Sequence, residues 1–483
     1  MSINQLYTNA RAAFNNWSVL TVQERLAYLA KLRLVIIDQL DYLANTISEA
    51  TGKVEVEAIT TELLTVLDSI TFLEKHAVAS LAKQKVKTPI MFFGKKSYIY
   101  YQPRGVVLVI SPWNFPFQLS LIPALNAVIS GNSVIIKPSE VTPQVGIVME
   151  EILSQAGFPE HVIQIAHGDY RVGQELVAGK PDFIFFTGSV AIGKKIQMEA
   201  AKHLIPTILE LGGKDSMIVF PDAHLERAVN GALWGAFTNA GQVCMSVERL
   251  FVHQSIYPHF VDLLVNRAKQ LTDDLGKMTS HRQCEIVQEQ VMDALAKGGK
   301  MLTGQPPSQW DFSKVLFISP IILTEIKPEM RIWREETFGP VLPIIPFQSA
   351  EQAVELTNQL EFGLSASVWT KDLALAERIA GQLVVGNVMI NDVITSVANP
   401  YLPFGGAKAS GLGRYHGIEG LRVFTNQVSV MADSGYKKRE VNWYPYQGKY
   451  PYFKELIRSY YADKKDLLGL LKAFNGLFMG DGS

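Results

Sequence analysis

Cys244 is one of only two cysteines in the chain, and it stands in the run Phe237-Thr238-Asn239-Ala240-Gly241-Gln242-Val243-Cys244-Met245. A small-residue turn there interrupts an apolar helical stretch and can present one side chain to a cleft. A thiol so placed suits covalent chemistry, whereas an isolated cysteine ordinarily serves as a small buried hydrophobe. To act as a nucleophile it needs help, because a thiol of pKa about 8.5 is only a few per cent thiolate at neutral pH. Glu210 is placed to give it: this carboxylate closes the apolar run Leu204-Ile205-Pro206-Thr207-Ile208-Leu209 and precedes Leu211-Gly212-Gly213-Lys214, at the end of an expected strand. Asn114 lies in Ser111-Pro112-Trp113-Asn114-Phe115-Pro116-Phe117, where two prolines fix the backbone and let the amide serve as a rigid donor. If the thiol adds to a carbonyl, one such donor stabilises the new oxyanion by about 3 kcal/mol. Alone, each residue has a plainer reading, as a solvated glutamate or a rigid turn over a buried aromatic. Their chemistry depends on the three meeting.

Two further segments suit a dinucleotide. Gly188 and Ser189, in Phe186-Thr187-Gly188-Ser189-Val190-Ala191-Ile192-Gly193, sit between an expected strand and helix, where backbone amides and the Ser189 hydroxyl can meet a pyrophosphate. Lys137-Pro138-Ser139-Glu140 follows another strand, and Lys137 and Glu140 can hydrogen-bond the hydroxyls of an adenosine ribose. Glu140 would repel a 2′-phosphate, which favours NAD and leaves NADP open. No His, Cys and acid cluster has zinc spacing, so no metal is expected.

The elements that must position these residues read as alternating strands and helices. Strands are expected at 105–110, 133–136, 183–186 and 207–209, with helices at 119–129 and 192–202 between them. A second alternating block runs from Ser216-Met217-Ile218-Val219-Phe220 to Val388-Met389-Ile390. This is an α/β pattern of doubly wound, largely parallel sheets, whose ligands bind beyond the carboxyl ends of the strands. Before it, from Arg11 to His76, apolar residues such as Leu26, Leu29, Leu32, Ile36, Leu40 and Leu43 recur at helical spacing. Met91-Phe92-Phe93 and Ser97-Tyr98-Ile99-Tyr100-Tyr101 read as two aromatic strands around Gly94. Pro403-Phe404-Gly405-Gly406-Ala407-Lys408 opens a glycine-rich loop, and a strand is expected from Val423 to Val430. From Lys437 to Lys472 basic residues outnumber acidic ones and Leu456, Ile457, Tyr460, Tyr461, Leu467, Leu468 and Leu471 recur near helical spacing. Such a tail can dock on its own protein, the favoured reading, cover a tunnel mouth or make peripheral contact with a membrane.

At 483 residues, 48% of them hydrophobic, the chain is expected to build two or more domains. A net charge of −1 argues against nucleic-acid binding, and a small molecule is the expected partner. Two cysteines and the start Met1-Ser2-Ile3-Asn4-Gln5 read as cytoplasmic, and no apolar run is long enough to span a bilayer.

Seven stretches in order resemble the aldehyde dehydrogenase superfamily: Pro112-Trp113-Asn114-Phe115-Pro116, Lys137-Pro138-Ser139-Glu140, Phe186-Thr187-Gly188-Ser189, Glu210-Leu211-Gly212-Gly213-Lys214, Gly241-Gln242-Val243-Cys244, Glu335-Glu336-Thr337-Phe338-Gly339-Pro340 and Pro403-Phe404-Gly405-Gly406. The resemblance runs from about Arg11 to about Val430. It implies that Cys244 attacks an aldehyde, Asn114 and the Cys244 amide hold the oxyanion, hydride passes to a nicotinamide, and Glu210 activates the water that releases a carboxylic acid. It also implies a cofactor set in which Glu336 holds the nicotinamide ribose with Phe338 beside it, Ser189 contacts the pyrophosphate, and Trp113 and Lys137 line the adenosine side. Ser139, Glu140, Gly188, Leu211 and Gly212 complete the set.

By the same resemblance, residues 1–83 and 104–211 form a nucleotide-binding domain and 212–395 a catalytic domain. Residues 84–103 and 396–436 form a small β element that pairs subunits, leaving 437–483 as a tail. A homodimer is expected, with a tetramer as the other assembly. Gly413-Arg414-Tyr415-His416-Gly417 and Trp443-Tyr444-Pro445-Tyr446 look like the class 3 and fatty-aldehyde branch, from which Lys408 departs. Phe115, Phe117, Met245 and Phe404, with Trp113, would form an apolar funnel for medium or long aliphatic, aromatic or isoprenoid aldehydes. Three other activities compete: a semialdehyde dehydrogenase, a dehydrogenase that passes the thioester to coenzyme A, which Glu210 opposes, and a structural protein on the same fold, which the three intact residues oppose.

Overall fold

The computed structural model describes residues 2–271 and 274–479. Met1, residues 272 and 273 of the expected catalytic domain and residues 480–483 of the expected tail lie outside them. The chain divides into two compact units, one of residues 1–82 and 100–428, the other of 83–99 and 429–483.

The first unit holds two sheets. In one, the strand order is Gly411–Leu412, Thr207–Glu210, Phe183–Thr187, Val106–Ile110, Ser133–Lys137 and Ile163–Ile165, parallel except for the Gly411–Leu412 edge. Strands such as Val106–Ile110 and Phe183–Thr187 are continuous apolar runs because a parallel sheet buries both faces. The chain leaves Val106–Ile110 toward one side of the sheet and returns to Phe183–Thr187 on the other. The topological switch point therefore lies between these two strands, and the crevice beyond their carboxyl ends is where such sheets take ligands. The other sheet runs Lys300–Met301, Ile321–Thr324, Val341–Phe347, Val247–His253, Asp215–Val219, Ser365–Trp369 and Asn387–Ile390, with only its first pair antiparallel. The α/β pattern of two doubly wound sheets is thus observed.

The amino-terminal helices Ile3–Trp17, Val22–Asp38, Leu40–Thr51 and Leu64–Leu81 bury Leu29, Leu32, Ile36 and Leu43 at the spacing their sequence shows. Val22–Asp38 starts with a reciprocal cap in which Thr21 Oγ1 accepts from Glu24 N at 3.2 Å and Thr21 N donates to the Glu24 carboxylate at 2.7 Å.

In the second unit, Gln84–Val86 pairs antiparallel with Ser97–Ile99 of the strand Lys96–Pro103. The expected strand at Met91-Phe92-Phe93 is not formed; Ile90–Phe92 is a single 3-10 turn. Pro89 has no amide to give to a ladder, and its carbonyl instead accepts from Phe92 N at 2.9 Å, which starts the turn. The tail forms two helices, Tyr450–Tyr461 and Leu467–Met479, which bury Leu456, Leu470, Ala473 and Leu477 together with Val441, and Met91 packs against this cluster. Tail and hairpin segment thus share a unit. Residues 396–428 lie in the first unit.

Candidate active site

The loop carrying Cys244 follows the helix Leu225–Phe237. Asn239, Ala240 and Gly241 take left-handed backbone conformations at φ 49°, 53° and 72°, which reverses the chain sharply. Only glycine fits at 241, because a Cβ there would lie 2.2 Å from the Gly339 carbonyl oxygen. Thr238 Oγ1 and Asn239 N both donate to Glu57 Oε1, at 2.8 and 2.9 Å, and these bonds hold the strained turn.

Asn114 lies on the turn after Val106–Ile110. Its Nδ2 donates to Gln242 O at 3.0 Å, tying it to the Cys244 loop, and its own carbonyl accepts from Asn239 Nδ2 at 3.1 Å and Lys53 Nζ at 3.0 Å. Glu210 ends Thr207–Glu210, is 4% exposed, and has no hydrogen-bond partner on either carboxylate oxygen. All three residues line one cavity of about 310 Å³ together with Gly188, Ser189, Gly212, Glu336 and Phe338. The residue types that needed to meet do so.

The electrostatics follow from burial. Glu210 is pushed well above the usual carboxylate range because it is desolvated with no donor, and the Arg414 guanidinium offsets only part of this. Burial likewise pushes the Cys244 thiol up, and the negative charges of Asp215, Glu336 and Glu210 add to it. Both shifts favour the protonated forms, so each group must lose a proton before it acts: Glu210 to solvent, and the thiol to the ionised Glu210 carboxylate or to solvent. Activity that needs them deprotonated therefore rises with pH.

A buried framework sets this geometry, and sequence reading did not single it out. Lys53 and Glu62, both fully buried, pair at 2.8 Å. Glu62 Oε2 accepts from Phe117 N at 3.0 Å and Gln118 N at 2.9 Å, so the pair grips both ends of the Asn114 turn. A π-helical turn at Ala58–Leu63 interrupts the helix between Glu57 and Glu62, and the two carboxylates reach different loops. Similarly, Glu248 accepts from Thr337 N at 2.7 Å, Phe338 N at 2.9 Å and Lys214 Nζ at 2.6 Å, which secures the segment carrying Glu336 and Phe338, the latter at φ 51°. Glu62→Ala leaves the Lys53 ammonium buried and unpaired, at a cost of about 3–5 kcal/mol. The midpoint of urea unfolding, with its slope unchanged, is expected to fall accordingly.

The remaining expected cofactor residues surround the switch point. Ser189 caps the helix Val190–Ala201, its Oγ accepting from Ile192 N at 3.4 Å, so its proton stays free to donate. Thr187 Oγ1 is buried without a partner in the wall of the cavity. Lys137, 4% exposed, pairs with the more exposed Glu140 at 2.6 Å beside Ser139, and Leu211 lines the cavity. Gly213 N donates to Glu336 Oε1 at 2.9 Å; burial first and then Glu248 push this carboxyl up to about 8. An unpartnered hydroxyl and a helix amino terminus at the cavity, with the Lys137–Glu140 pair at the end of the strand next to Val106–Ile110, fit a dinucleotide. Trp113 stands edge-on to Phe338 with ring centroids 5.5 Å apart, in the cavity that Cys244 also lines.

The expected funnel needs correction. Phe117 and Met245 are 0% and 1% exposed in the main core, and Phe115 is buried with its ring 4.1 Å from Lys53 Nζ. These side chains turn away from the cavity that their neighbours Asn114 and Cys244 face. Of the four, Phe404 lines it, and the other apolar walls are Leu119, Ile286, Leu364, Val397 and Tyr415. Phe404 is held by reciprocal backbone bonds to Tyr415 at 2.6 and 2.8 Å, which close the glycine-rich loop. Lys408 braces a neighbouring segment, its Nζ donating to Leu360 O at 2.7 Å and Asn358 O at 3.2 Å.

Comparison with known proteins agrees with this geometry. The chain is 43% identical over 469 residues to a 4,4'-diapolycopene aldehyde oxidase of Methylomonas sp, covering 95% of this chain and 87% of that protein. It is 32% identical to a 4,4'-diaponeurosporen-aldehyde dehydrogenase of Staphylococcus aureus, covering 95% and 99%. The structure of an aldehyde dehydrogenase from Bacillus cereus in complex with NAD+ superposes with a TM-score of 0.84 at 30% identity, covering 89% of each chain. The model of the aldehyde dehydrogenase family matches residues 1–430. With a thiol, an unpaired buried carboxylate and a fixed amide at the switch-point crevice, the chain belongs to the aldehyde dehydrogenase family.

Proposed function

We propose that this aldehyde dehydrogenase oxidises long isoprenoid aldehydes with NAD+, through a thioester on Cys244. The observation that carries the mechanism is the shared cavity of Cys244, Glu210 and Asn114, with Glu210 unpartnered. Ionised Glu210 takes the Cys244 proton as Sγ bonds to the aldehyde carbon. Asn114 Nδ2 and the Cys244 amide stabilise the oxyanion of the resulting thiohemiacetal. Bound NAD+ supplies the acceptor for the hydride that leaves this carbon. A thioester then remains on Cys244; Glu210, having released the thiol proton to solvent, takes one from the water that attacks the thioester and returns it to the departing Cys244 sulfur as the acid is released. Ser189 and Thr187 would hold phosphate oxygens, Lys137 and Glu140 the adenosine ribose, and Glu336 the second ribose.

Asn114→Ala is expected to lower kcat by about 10²–10³-fold. KM for the aldehyde should change far less, because the oxyanion exists only after attack. Equal kcat in the two proteins would remove Asn114 from this role.

Support for the substrate class comes from two sides. The cavity walls are mostly apolar and, among the described residues, include no lysine or arginine to hold a second carboxylate. The relatives from Methylomonas sp and Staphylococcus aureus bear the names of long-chain carotenoid aldehyde enzymes. The semialdehyde reading lacks a matching cation at the cavity, and the coenzyme A reading is opposed by Glu210. Action as a cytoplasmic homodimer completes the proposal.

A panel of hexanal, decanal, an isoprenoid enal, retinal and succinic semialdehyde, followed by NADH formation, tests it. Each methylene that enters the apolar cavity contributes about 0.8 kcal/mol, roughly fourfold in kcat/KM. The long apolar aldehydes should therefore lead, with free acid formed in the absence of coenzyme A. Preference for succinic semialdehyde would overturn the reading.

A further inference from the structure

The second unit carries a charge opposite to the rest of the protein. Residues 83–99 and 429–483 contain 14 Lys and Arg against 6 Asp and Glu, a net charge of +8 in a chain whose total is −1. The remainder is therefore at −9. A separation of this size within one chain points to a charged partner of the basic unit.

The same unit leaves an apolar face uncovered. Along Leu467–Met479, Leu470, Ala473 and Leu477 face the helical hairpin and are buried, while Leu467, Leu468 and Leu471 lie on the other side of the helix and are 61–75% exposed. On Tyr450–Tyr461, Leu456 is buried, whereas Ile457 and Tyr461, one helical turn apart, are 55% and 75% exposed. Lys454, Arg458, Lys464, Lys465 and Lys472 are exposed among these side chains. Each helix thus has two apolar stripes, and the hairpin uses one.

We propose that this face docks on an anionic lipid bilayer. Exposed leucines flanked by lysines are what a helix lying in the headgroup region presents: the aliphatic groups enter the acyl boundary while the ammonium groups meet lipid phosphates. Tyrosines, here Tyr461 with Tyr436, Tyr444 and Tyr450 exposed in the same unit, suit the water–hydrocarbon boundary. A second copy of the chain is the poorer occupant, because pairing this face with itself opposes two strongly positive surfaces and lysine is depleted from such interface cores. Nucleic acid is poorer too, since it has no apolar phase for Leu467, Leu468 and Leu471 to enter. The docking would bring the enzyme to the phase in which long apolar aldehydes dissolve, a motive that rests on the proposed substrate class, although the surface itself does not.

The test is co-sedimentation of the full-length protein with vesicles of phosphatidylcholine alone and of phosphatidylcholine with about 30% phosphatidylglycerol. Binding is expected to the anionic vesicles and to weaken in about 0.5 M NaCl. The triple variants Leu467→Ser/Leu468→Ser/Leu471→Ser and Lys464→Glu/Lys465→Glu/Lys472→Glu should each lose about tenfold or more in partitioning. Oxidation of hexanal should stay unchanged in both, which shows that the variants fold. The proposal is overturned if the wild type fails to pellet with anionic vesicles or if neither variant matters. It is also overturned if the variants change the oligomeric mass in solution, or if an oligonucleotide competes the protein off the vesicles. Failure of the aldehyde panel with vesicle binding intact would strike the substrate class and leave the docking surface standing.

Discussion

Cys244→Ala is expected to abolish aldehyde oxidation, lowering kcat by about 10⁴-fold or more, while NAD+ affinity measured by fluorescence titration should stay within about threefold of the native protein. The thiol is the group that bonds to the aldehyde carbon, and without it no thiohemiacetal forms from which hydride can leave. The residue is small and borders the cavity, so its loss removes one sulfur without unseating the loop, which is held by Glu57, Asn114 and Gln242. Cys284 is the control. It is fully buried on the helix His281–Ala296, whose Gln283 and Ile286 line the cavity while Cys284 does not, and Cys284→Ala should leave kcat unchanged.

Glu210→Gln has the second largest expected effect, and a different signature. General-base assistance to water contributes about 10²–10⁴-fold, so deacylation slows by that factor. Glutamine fits the same space, and the native carboxylate makes no hydrogen bond that the change would break. Attack by Cys244 is also slowed if Glu210 takes its proton, but alkaline pH supplies thiolate independently. At high pH the variant should therefore show a burst of NADH close to one per site, followed by slow turnover. The native enzyme should gain rate as pH rises, because burial favours the protonated forms of Glu210 and Cys244. The limb of that profile that reports Glu210 should vanish from steady-state kcat in the variant.

Much of the site was legible because the chemistry sits at strand ends. Asn114 follows Val106–Ile110, Ser189 follows Phe183–Thr187 and Glu210 ends Thr207–Glu210, so three apolar runs, each ending in a polar or glycine-containing turn, already place these residues at one edge of a sheet. Cys244 was legible from its turn, whose left-handed residues Asn239, Ala240 and Gly241 are of types that tolerate or are held in that conformation. The side-chain directions were not legible. Phe115, Phe117 and Met245 stand next to residues that face the cavity, yet sequence proximity says nothing about which way each ring points once a turn is formed.

Nor could the sequence show the framework behind the site. Lys53 meets the Asn114 carbonyl from 61 positions away, and Glu57 meets Asn239 from 182. As single letters in an amphipathic helix, these charged residues look like solvent-facing ones. Only the packing around the π-helical turn at Ala58–Leu63 buries Lys53 and half-buries Glu57. Pro89 did carry a readable signal against a strand at Met91-Phe92-Phe93, namely the lack of a ladder donor just before it.

The most direct test of the account is the intact mass of the protein, quenched in acid during turnover of decanal with NAD+ in the Glu210→Gln variant, followed by peptide mapping. The account predicts a decanoyl group on the peptide containing Cys244 at close to full occupancy, and none in the Cys244→Ala/Glu210→Gln double variant. An unmodified Cys244 peptide during continuing turnover, or acyl modification at Cys284 instead, would contradict it.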